Sequence, residues 1–495
     1  MFMPVVAALA ALGASLVAAV PSLEIRGTDL VNPATGAKFH IAGMAYQPGG
    51  SSGYNPQAGK DPLSTPDNCL RDAALMQILG VNTIRVYNLD PNANHDECAS
   101  IFNAAGIYMI IDVNSPLVGE SMTSYQPWTS YYAAYLNHTF AVIEAFAGYP
   151  NTLLFFSGNE IINDLSSAKE VPPYLRAVTR DLKNYIKNNI QRKIPVGYSA
   201  ADVRDVLWDT WNYMQCSGED EASRADVFAL NSYSWCGPEA TYESSTFNAL
   251  TEGFQKSSIP VFFSEYGCNQ PAPRYWNETT AIYNQMGRVF SGGVVYEWTQ
   301  GSNQYGLVKL DGDGVRILSD YDRLKSQWAN LDWKSIQSQP AAGQAPPAPS
   351  CQEGLIKEVG FKNNFTLPAV PPGAQKLIDE GIKPKPSGKL VSISDFTVKA
   401  TVKDASNTPV SGLKVQPLGQ DEFNWAGKNS AGTGRAGGGG DNNHDSDSDG
   451  DKGDDRSGQD KDGNKGDKDK EDAGVSVRPT MVWAAVMALM AMTMG

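Results

Sequence analysis

Leu153-Leu154-Phe155-Phe156-Ser157-Gly158-Asn159-Glu160 is a short apolar run that stops abruptly at an amide and a carboxylate. A continuous apolar run of this length reads as a strand buried on both faces, as in a parallel sheet. Its C-terminal end then delivers Asn159 and Glu160 to a surface. Ile259-Pro260-Val261-Phe262-Phe263-Ser264-Glu265-Tyr266-Gly267 has the same shape and closes on Glu265. Two buried strands that each end in a glutamate predict paired carboxylates at the mouth of one barrel.

The pattern repeats outward from these two stretches. Between residues 41 and 333, apolar strands end near Tyr46, Tyr87, Asp112, Glu160, Ser199, Tyr233, Glu265 and Trp298. Helical spacing falls between them over 66–79, 95–105, 131–147, 173–189, 203–214, 246–256 and 278–290, and 321–333 reads as a closing helix. Thr65 before Pro66 reads as an N-cap. Eight strand–helix units in about 290 residues predict an α/β fold of the (β/α)8 TIM-barrel type. A doubly wound open sheet is the alternative, but no G-x-G-x-x-G follows a strand.

Composition bounds the function. The chain has 495 residues, 41% apolar and 10% aromatic, enough for a substantial core. Its net charge is −14, and residues 441–472, with thirteen acids against six bases, carry half of it. Nucleic acid is a poor partner for such a chain, because phosphate binding needs basic patches. The six cysteines are widely spaced without a C-x-x-C pair, which suits disulfides in an oxidising compartment. The four histidines have no metal-like spacing. No metal and no cofactor are expected.

The ends carry targeting patterns. Residues 1–19 read as a secretory signal peptide, with an apolar Ala-rich run before Val17-Ala18-Ala19. Residues 22–335 are the catalytic barrel. Residues 336–426 read as a linker and a small irregular segment tied by Cys351, with alternation over 390–402 enough for one or two strands. Residues 427–472 form an Asp/Gly/Lys-rich spacer, disordered by composition. Residues 473–495 read as a GPI-attachment propeptide: Asp472, Ala473 and Gly474 offer small anchor sites before a short greasy tail. Asn137, Asn277 and Asn364 head glycosylation motifs. The expected location is the outer face of the plasma membrane and the cell wall, with the chain monomeric.

In a TIM barrel the active site lies at the C-terminal ends of the strands. Glu160 and Glu265 fall on the fourth and seventh of eight, facing each other across the mouth. Paired carboxylates suit glycosidic bond cleavage: one protonates the leaving oxygen and the other attacks the anomeric carbon. A separation of roughly 5 Å gives retention and roughly 7–9 Å inversion. Like charges oppose full ionisation, so one of the pair is protonated at rest. Tyr46, Tyr87, Tyr233, Trp235, Tyr266, Tyr296, Trp298 and Tyr305 lie at or beyond strand ends. Each alone suits core packing; as a set at one rim they suit stacking on sugar rings. Tyr296 is also a candidate hydrogen-bond donor to a nucleophilic carboxylate. Gln47, Asp112, Asp202 and Arg204 are polar strand-end residues, readable as substrate-binding or as capping groups.

Ser157-Gly158-Asn159-Glu160 and Phe263-Ser264-Glu265-Tyr266-Gly267 resemble the two catalytic motifs of the fungal β-1,3-glucanosyltransferases, glycoside hydrolase family seventy-two. Gly43-Met44-Ala45-Tyr46-Gln47, Thr83-Ile84-Arg85-Val86-Tyr87, Val196-Gly197-Tyr198-Ser199, Asn231-Ser232-Tyr233-Ser234-Trp235-Cys236-Gly237 and Val295-Tyr296-Glu297-Trp298 support it. The resemblance covers about residues 22 to 352. It implies Glu160 as proton donor and Glu265 as nucleophile. It implies binding of a β-1,3-glucan donor and acceptor by Gln47, Tyr87, Asp112, Asn159, Asp202, Tyr233, Tyr296 and Tyr305. It also implies disulfides joining Cys69 to Cys98, Cys216 to Cys351 and Cys236 to Cys268. No cysteine follows Cys351, as in the subgroup lacking a cysteine-rich glucan-binding module.

Three functions remain open at this level. A transglycosylase and a retaining endo-glucanase need the same two glutamates, and the resemblance favours transfer. A non-catalytic glucan-binding wall protein is the third, and the intact glutamates argue against it.

Overall fold

The computed structural model describes residues 19–428. Eight parallel strands close into a barrel: β1 (Ile41–Ala45), β2 (Thr83–Val86), β3 (Tyr108–Asp112), β4 (Thr152–Asn159), β5 (Val196–Ala201), β6 (Val227–Ser232), β7 (Val261–Tyr266) and β8 (Phe290–Val295), with β8 pairing back to β1. Helices α1 (Pro66–Leu79), α2 (Asp96–Ala104), α3 (Ala133–Ala147), α4 (Val171–Asn189), α5 (Arg204–Gln215) and α6 (Phe247–Phe254) connect them on the outside. The fold is a TIM barrel. Thr65 is extended before α1, but its side chain makes no capping bond; its carbonyl instead accepts from the Asn68 and Cys69 amides.

The strands alternate with period two, and two apolar clusters follow. Ile41, Tyr108, Ile110, Phe156, Ala229, Phe262 and Val294 point inward and pack with Val20, Leu23, Leu30 and Phe39, which close the barrel floor. Met44, Ile84, Met109, Ile111, Phe155, Phe228 and Phe263 point outward onto the helices. Most strands are thus apolar on both sides near the floor, which is why they read as unbroken runs; β2, with Thr83 and Arg85 inward, is the exception.

Two differences from the sequence reading concern the later elements. The helical reading over 278–290 overruns: Glu278–Thr280 passes into a wide turn, Ala281–Gln285, and Phe290 already belongs to β8, which must close the barrel. After β8 comes a hairpin, β9 (Val308–Asp311) and β10 (Gly314–Ile317), and then α7 (Ser319–Ala329), shorter than the 321–333 reading and followed by a separate turn of helix, Trp333–Ile336.

Residues 351–428 run as a belt across the outer helices. The Lys357 and Glu358 amides donate to Asp209 on α5, and Lys362 N to the Ala168 carbonyl. Arg180 on α4 donates to the Pro368 carbonyl, and Asn188 and Asn189 to that of Ile378. Val391 N donates to Ser100 Oγ on α2, and Asn424 Nδ2 to the Gln77 and Val81 carbonyls. Of the strands expected over 390–402, Val402–Lys403 pairs alongside β10, and Thr397 makes a single antiparallel bridge to Lys414. Leu390, Ile393, Phe396 and Val398 are partly buried against the outer core, at mixed spacing and not in strict alternation. The disulfides are Cys69–Cys98, Cys216–Cys351 and Cys236–Cys268, and the second ties the belt to the end of α5. The proposed signal, spacer and anchor, including Asp472, Ala473 and Gly474, lie outside the described residues, apart from Ala19 and residues 427–428.

Candidate active site

Above the apolar floor the inward positions become polar. Arg85 on β2, Asp112 on β3, Asn159 on β4, Ser199 on β5, Asn231 on β6 and Ser264 with Glu265 on β7 meet at one level. Plain alternation does not produce this layer. In the β4–β5 register, Phe156 faces Gly197 but Asn159 faces Ser199, so β4 holds one extra residue. In the β6–β7 register, Leu230 faces Phe263 but Asn231 faces Glu265, so β7 does too. Such bulges re-aim side chains beside functional sites. On β7 the bulge lets Ser264 and Glu265 both reach the interior while Tyr266 packs outward. Just past β4, Glu160 has φ 49°, a left-handed conformation that is costly for a side-chain-bearing residue, and its amide is held by the Ser199 carbonyl at 2.8 Å.

Arg85 is the hub. It is 0% exposed and lies over the rings of Tyr87 and Phe156. Its Nε and Nη2 fork onto Asp112 at 3.0 and 2.8 Å. Nη2 also donates to Asn159 Oδ1 at 2.8 Å, and Nη1 to Glu265 Oε1 at 3.2 Å. A buried guanidinium is tolerable only when its donors are all satisfied, and here two carboxylates and an amide satisfy it.

The two glutamates differ in setting. Glu265 receives the Tyr87 phenol and Arg85 at Oε1, the phenol at 2.9 Å, and the Tyr233 phenol at Oε2 at 2.6 Å. Glu160 receives the Asn231 amide at Oε1, 2.9 Å away. Burial pushes Glu265 up to about 7; Arg85 pulls it down, Glu160 pushes it up, and the two phenols pull it down. Burial raises Glu160 as well, opposed by the Asn231 hydrogen bond and the Arg85 charge. The hydrogen bonds decide where a shared proton sits. Both oxygens of Glu265 face donors, which favour its carboxylate; Glu160 has a donor at Oε1 alone among these bonds, which leaves Oε2 open to a proton.

The barrel of this geometry is matched, over residues 12–332, by a family model described as glucanosyltransferase, a branch of the glycoside hydrolases. The chain belongs to the glucanosyltransferase family. It is 50% identical over 428 residues to the 1,3-beta-glucanosyltransferase gel2 of Aspergillus fumigatus, spanning 86% of this chain and 89% of that one. It is 41% identical over 441 residues to the probable 1,3-beta-glucanosyltransferase GAS3 of Saccharomyces cerevisiae, spanning 83% and 84%. Among solved structures, Saccharomyces cerevisiae Gas2p in complex with laminaritriose and laminaritetraose superposes with a TM-score of 0.63 at 34% identity, over 72% of this chain and 78% of that one.

Within this glucanosyltransferase barrel, the structure brings Tyr87, Asp112, Asn159, Glu160, Tyr233 and Glu265 into one hydrogen-bonded cluster. Gln47 joins through its Oε1, which accepts the Tyr87 and Asn88 amides. Tyr233, Tyr296 and Tyr305 form an edge-to-face triangle with centroids 5.3–6.1 Å apart. The phenols that bond Glu265 are those of Tyr87 and Tyr233; Tyr296 meets the ring of Tyr233. Asp202 and Arg204 stand at the rim. Asp202 accepts from Ser232 and pairs with Arg204, whose guanidinium also donates to Thr246. Arg204 is thus committed to the protein.

Four of the eight rim aromatics pack on the outer core, Trp235 among them, half-buried against Phe247 on α6. Tyr46 is fully buried behind β1 with its phenol on Asp72, and Tyr266 and Trp298 pack in the outer core. Tyr46 continues the outward parity of Met44, whereas on β7 the bulge at Ser264–Glu265 is what turns Tyr266 outward. Arg85 and Asn231 appear in the sequence only inside supporting motifs. A signal was present for Arg85, a charge between two apolar residues within a buried strand, which demands buried partners.

Proposed function

We propose that the protein is a retaining β-1,3-glucanosyltransferase. It cuts a β-1,3-glucan internally and passes the new reducing end to the non-reducing end of a second chain. The unequal setting of the two carboxylates carries this reading. Glu265, whose charged form two phenols and a guanidinium favour, attacks the anomeric carbon. Glu160 gives its proton to the departing glycosidic oxygen, leaving a glycosyl ester on Glu265. Glu160, now a carboxylate, takes the proton from an acceptor hydroxyl as that oxygen displaces Glu265. Two displacements restore the original configuration. Tyr296 and Tyr305 offer ring surface for sugar, and Gln47, Asp112, Asn159 and Asp202 offer polar contacts. The names of the relatives and the laminari-oligosaccharides in Gas2p support glucan as both donor and acceptor.

The test is incubation of the purified protein with a reduced laminari-oligosaccharide, with products sized. Chains longer than the substrate are expected. Shorter chains alone would identify a hydrolase. Undiminished activity in Glu265→Gln would overturn the site.

The chain is further proposed to enter the secretory pathway and to be held, as a monomer, at the outer face of the plasma membrane by a GPI anchor. Its terminal apolar runs and three disulfides support this. Release from cells by a phosphatidylinositol-specific phospholipase is the test; retention after treatment would refute the anchor.

A further inference from the structure

Beneath the two glutamates lies a pair of serine hydroxyls to which the reaction above gives no task. Ser199 Oγ and Ser264 Oγ are 2.9 Å apart, and both residues are fully buried. Ser264 Oγ donates to Asn231 Oδ1 at 2.7 Å. Ser199 Oγ reaches the same oxygen at 3.1 Å and Asn159 Oδ1 at 2.8 Å. Arg85 Nη1 approaches Asn231 Oδ1 from the other side at 3.3 Å. The oxygen end of the Asn231 amide thus faces donors from Ser264 and Arg85, while the single proton of Ser199 serves either that oxygen or Asn159 Oδ1.

The nitrogen end faces acceptors. Asn231 Nδ2 donates to Asn159 Oδ1 at 3.1 Å and to Glu160 Oε1 at 2.9 Å. Reversing the amide would point its N–H groups at Arg85 and its oxygen at Asn159 Oδ1, which Arg85 itself holds in place. Each of those contacts would become repulsive, inside a layer from which water is excluded.

We propose that the Ser199–Ser264 hydroxyl pair is a positioning device: it fixes the Asn231 amide, and Asn231 in turn holds Oε1 of Glu160 as an acceptor, so that Oε2 carries the proton that is transferred. The inference rests on the acid/base role of Glu160. It links the two glutamates mechanically, because Ser264 immediately precedes Glu265 and its carbonyl accepts from Arg85 at 3.3 Å. The other charged or titratable groups acting on Glu160 are Arg85 on β2, Tyr198 on β5 and Glu265 on β7. None of these groups is itself altered by removing a serine hydroxyl.

The measurement is the pH profile of kcat/KM for transfer, whose alkaline limb reports loss of the proton from the acid. In Ser264→Ala the Asn231 amide loses its shortest anchor and Glu160 its steady donor. The limb is expected to rise by about half a unit, and kcat/KM at neutral pH to fall about 3- to 10-fold. Ser199→Ala is expected to act in the same direction and more weakly. In an Asn231→Ala background, Ser264→Ala is expected to move the limb no further. An unmoved limb in both folded serine variants would overturn the proposal. So would a Ser264→Ala shift that persists undiminished without Asn231. Full activity in Glu160→Gln would instead refute the acid/base reading on which the inference rests.

Discussion

Tyr233 donates its phenol proton to Oε2 of Glu265 at 2.6 Å, on the carboxylate oxygen opposite the one that Tyr87 and Arg85 hold. The carboxylate is gripped at both ends, and each grip favours its charged form. Removing either phenol should raise the Glu265 pKa. Because the nucleophile must be ionised, the acid limb of kcat/KM should move to higher pH in Tyr233→Phe and in Tyr87→Phe. A hydrogen bond to a charged group contributes about 1.5–3 kcal/mol, so a loss of roughly 10- to 100-fold is expected at pH 5. An acid limb that stays put in both variants would exclude this role.

Arg85 joins Asp112, Asn159 and Glu265 inside the barrel. Arg85→Met would leave two buried carboxylates without their cation. Removing one partner of a buried ion pair costs about 3–5 kcal/mol. Denaturant unfolding should show a loss of that order at pH 7. The loss should shrink below pH 5, where protonation of the orphaned carboxyls relieves it. An equal loss at both pH values would show that packing, and not charge, is the main contribution.

Glu278 supplies a test of stability that leaves the candidate active site untouched. It is buried beside Arg274, and burial pushes its carboxyl up to about 7 despite that charge. A carboxyl raised above its unfolded value favours the folded state fully below about pH 4.5, and that contribution is lost as pH rises through about 7. The wild-type protein should therefore lose stability between pH 5 and 7. Glu278→Gln should remove that part of the slope and be more stable at neutral pH by an amount of order 2–3 kcal/mol. Thermal unfolding at a series of pH values measures it; parallel curves for the two proteins would contradict the assignment.

The Cys216–Cys351 disulfide spans 135 residues and pins the start of the belt, with the Arg176 guanidinium against both sulfurs. Replacing both cysteines by alanine should cost about 2–5 kcal/mol. Limited proteolysis should then cut first within residues 352–400, where much of the belt is exposed on the outside of the barrel. Cleavage starting instead inside α4 or α5 would mean that the belt holds without its disulfide.

The barrel was legible in the sequence because its strands are buried on both faces, and an unbroken apolar run needs no knowledge of partners to be seen. The two glutamates were legible for the same reason, as charges stranded where such runs stop. The belt was not, because its amides bond to helix side chains scattered along the chain, and such contacts leave no period. The rim aromatics were legible only as a set. Which of them face the mouth depends on strand parity and on where a bulge resets it, and Tyr46, Tyr266 and Trp298 fall on the outer side.

Residue order alone determined that Glu160 and Glu265 end the fourth and seventh strands of a closed eight-stranded barrel. Only the tertiary structure decided what surrounds them. One extra residue in β4 and one in β7 shift the register by a single step, and a single step exchanges the two faces of a strand. Those bulges bring Asn159 and Glu265 onto Arg85 and Asn231, beside Ser264. Local sequence cannot specify such a shift, because it arises where neighbouring strands meet.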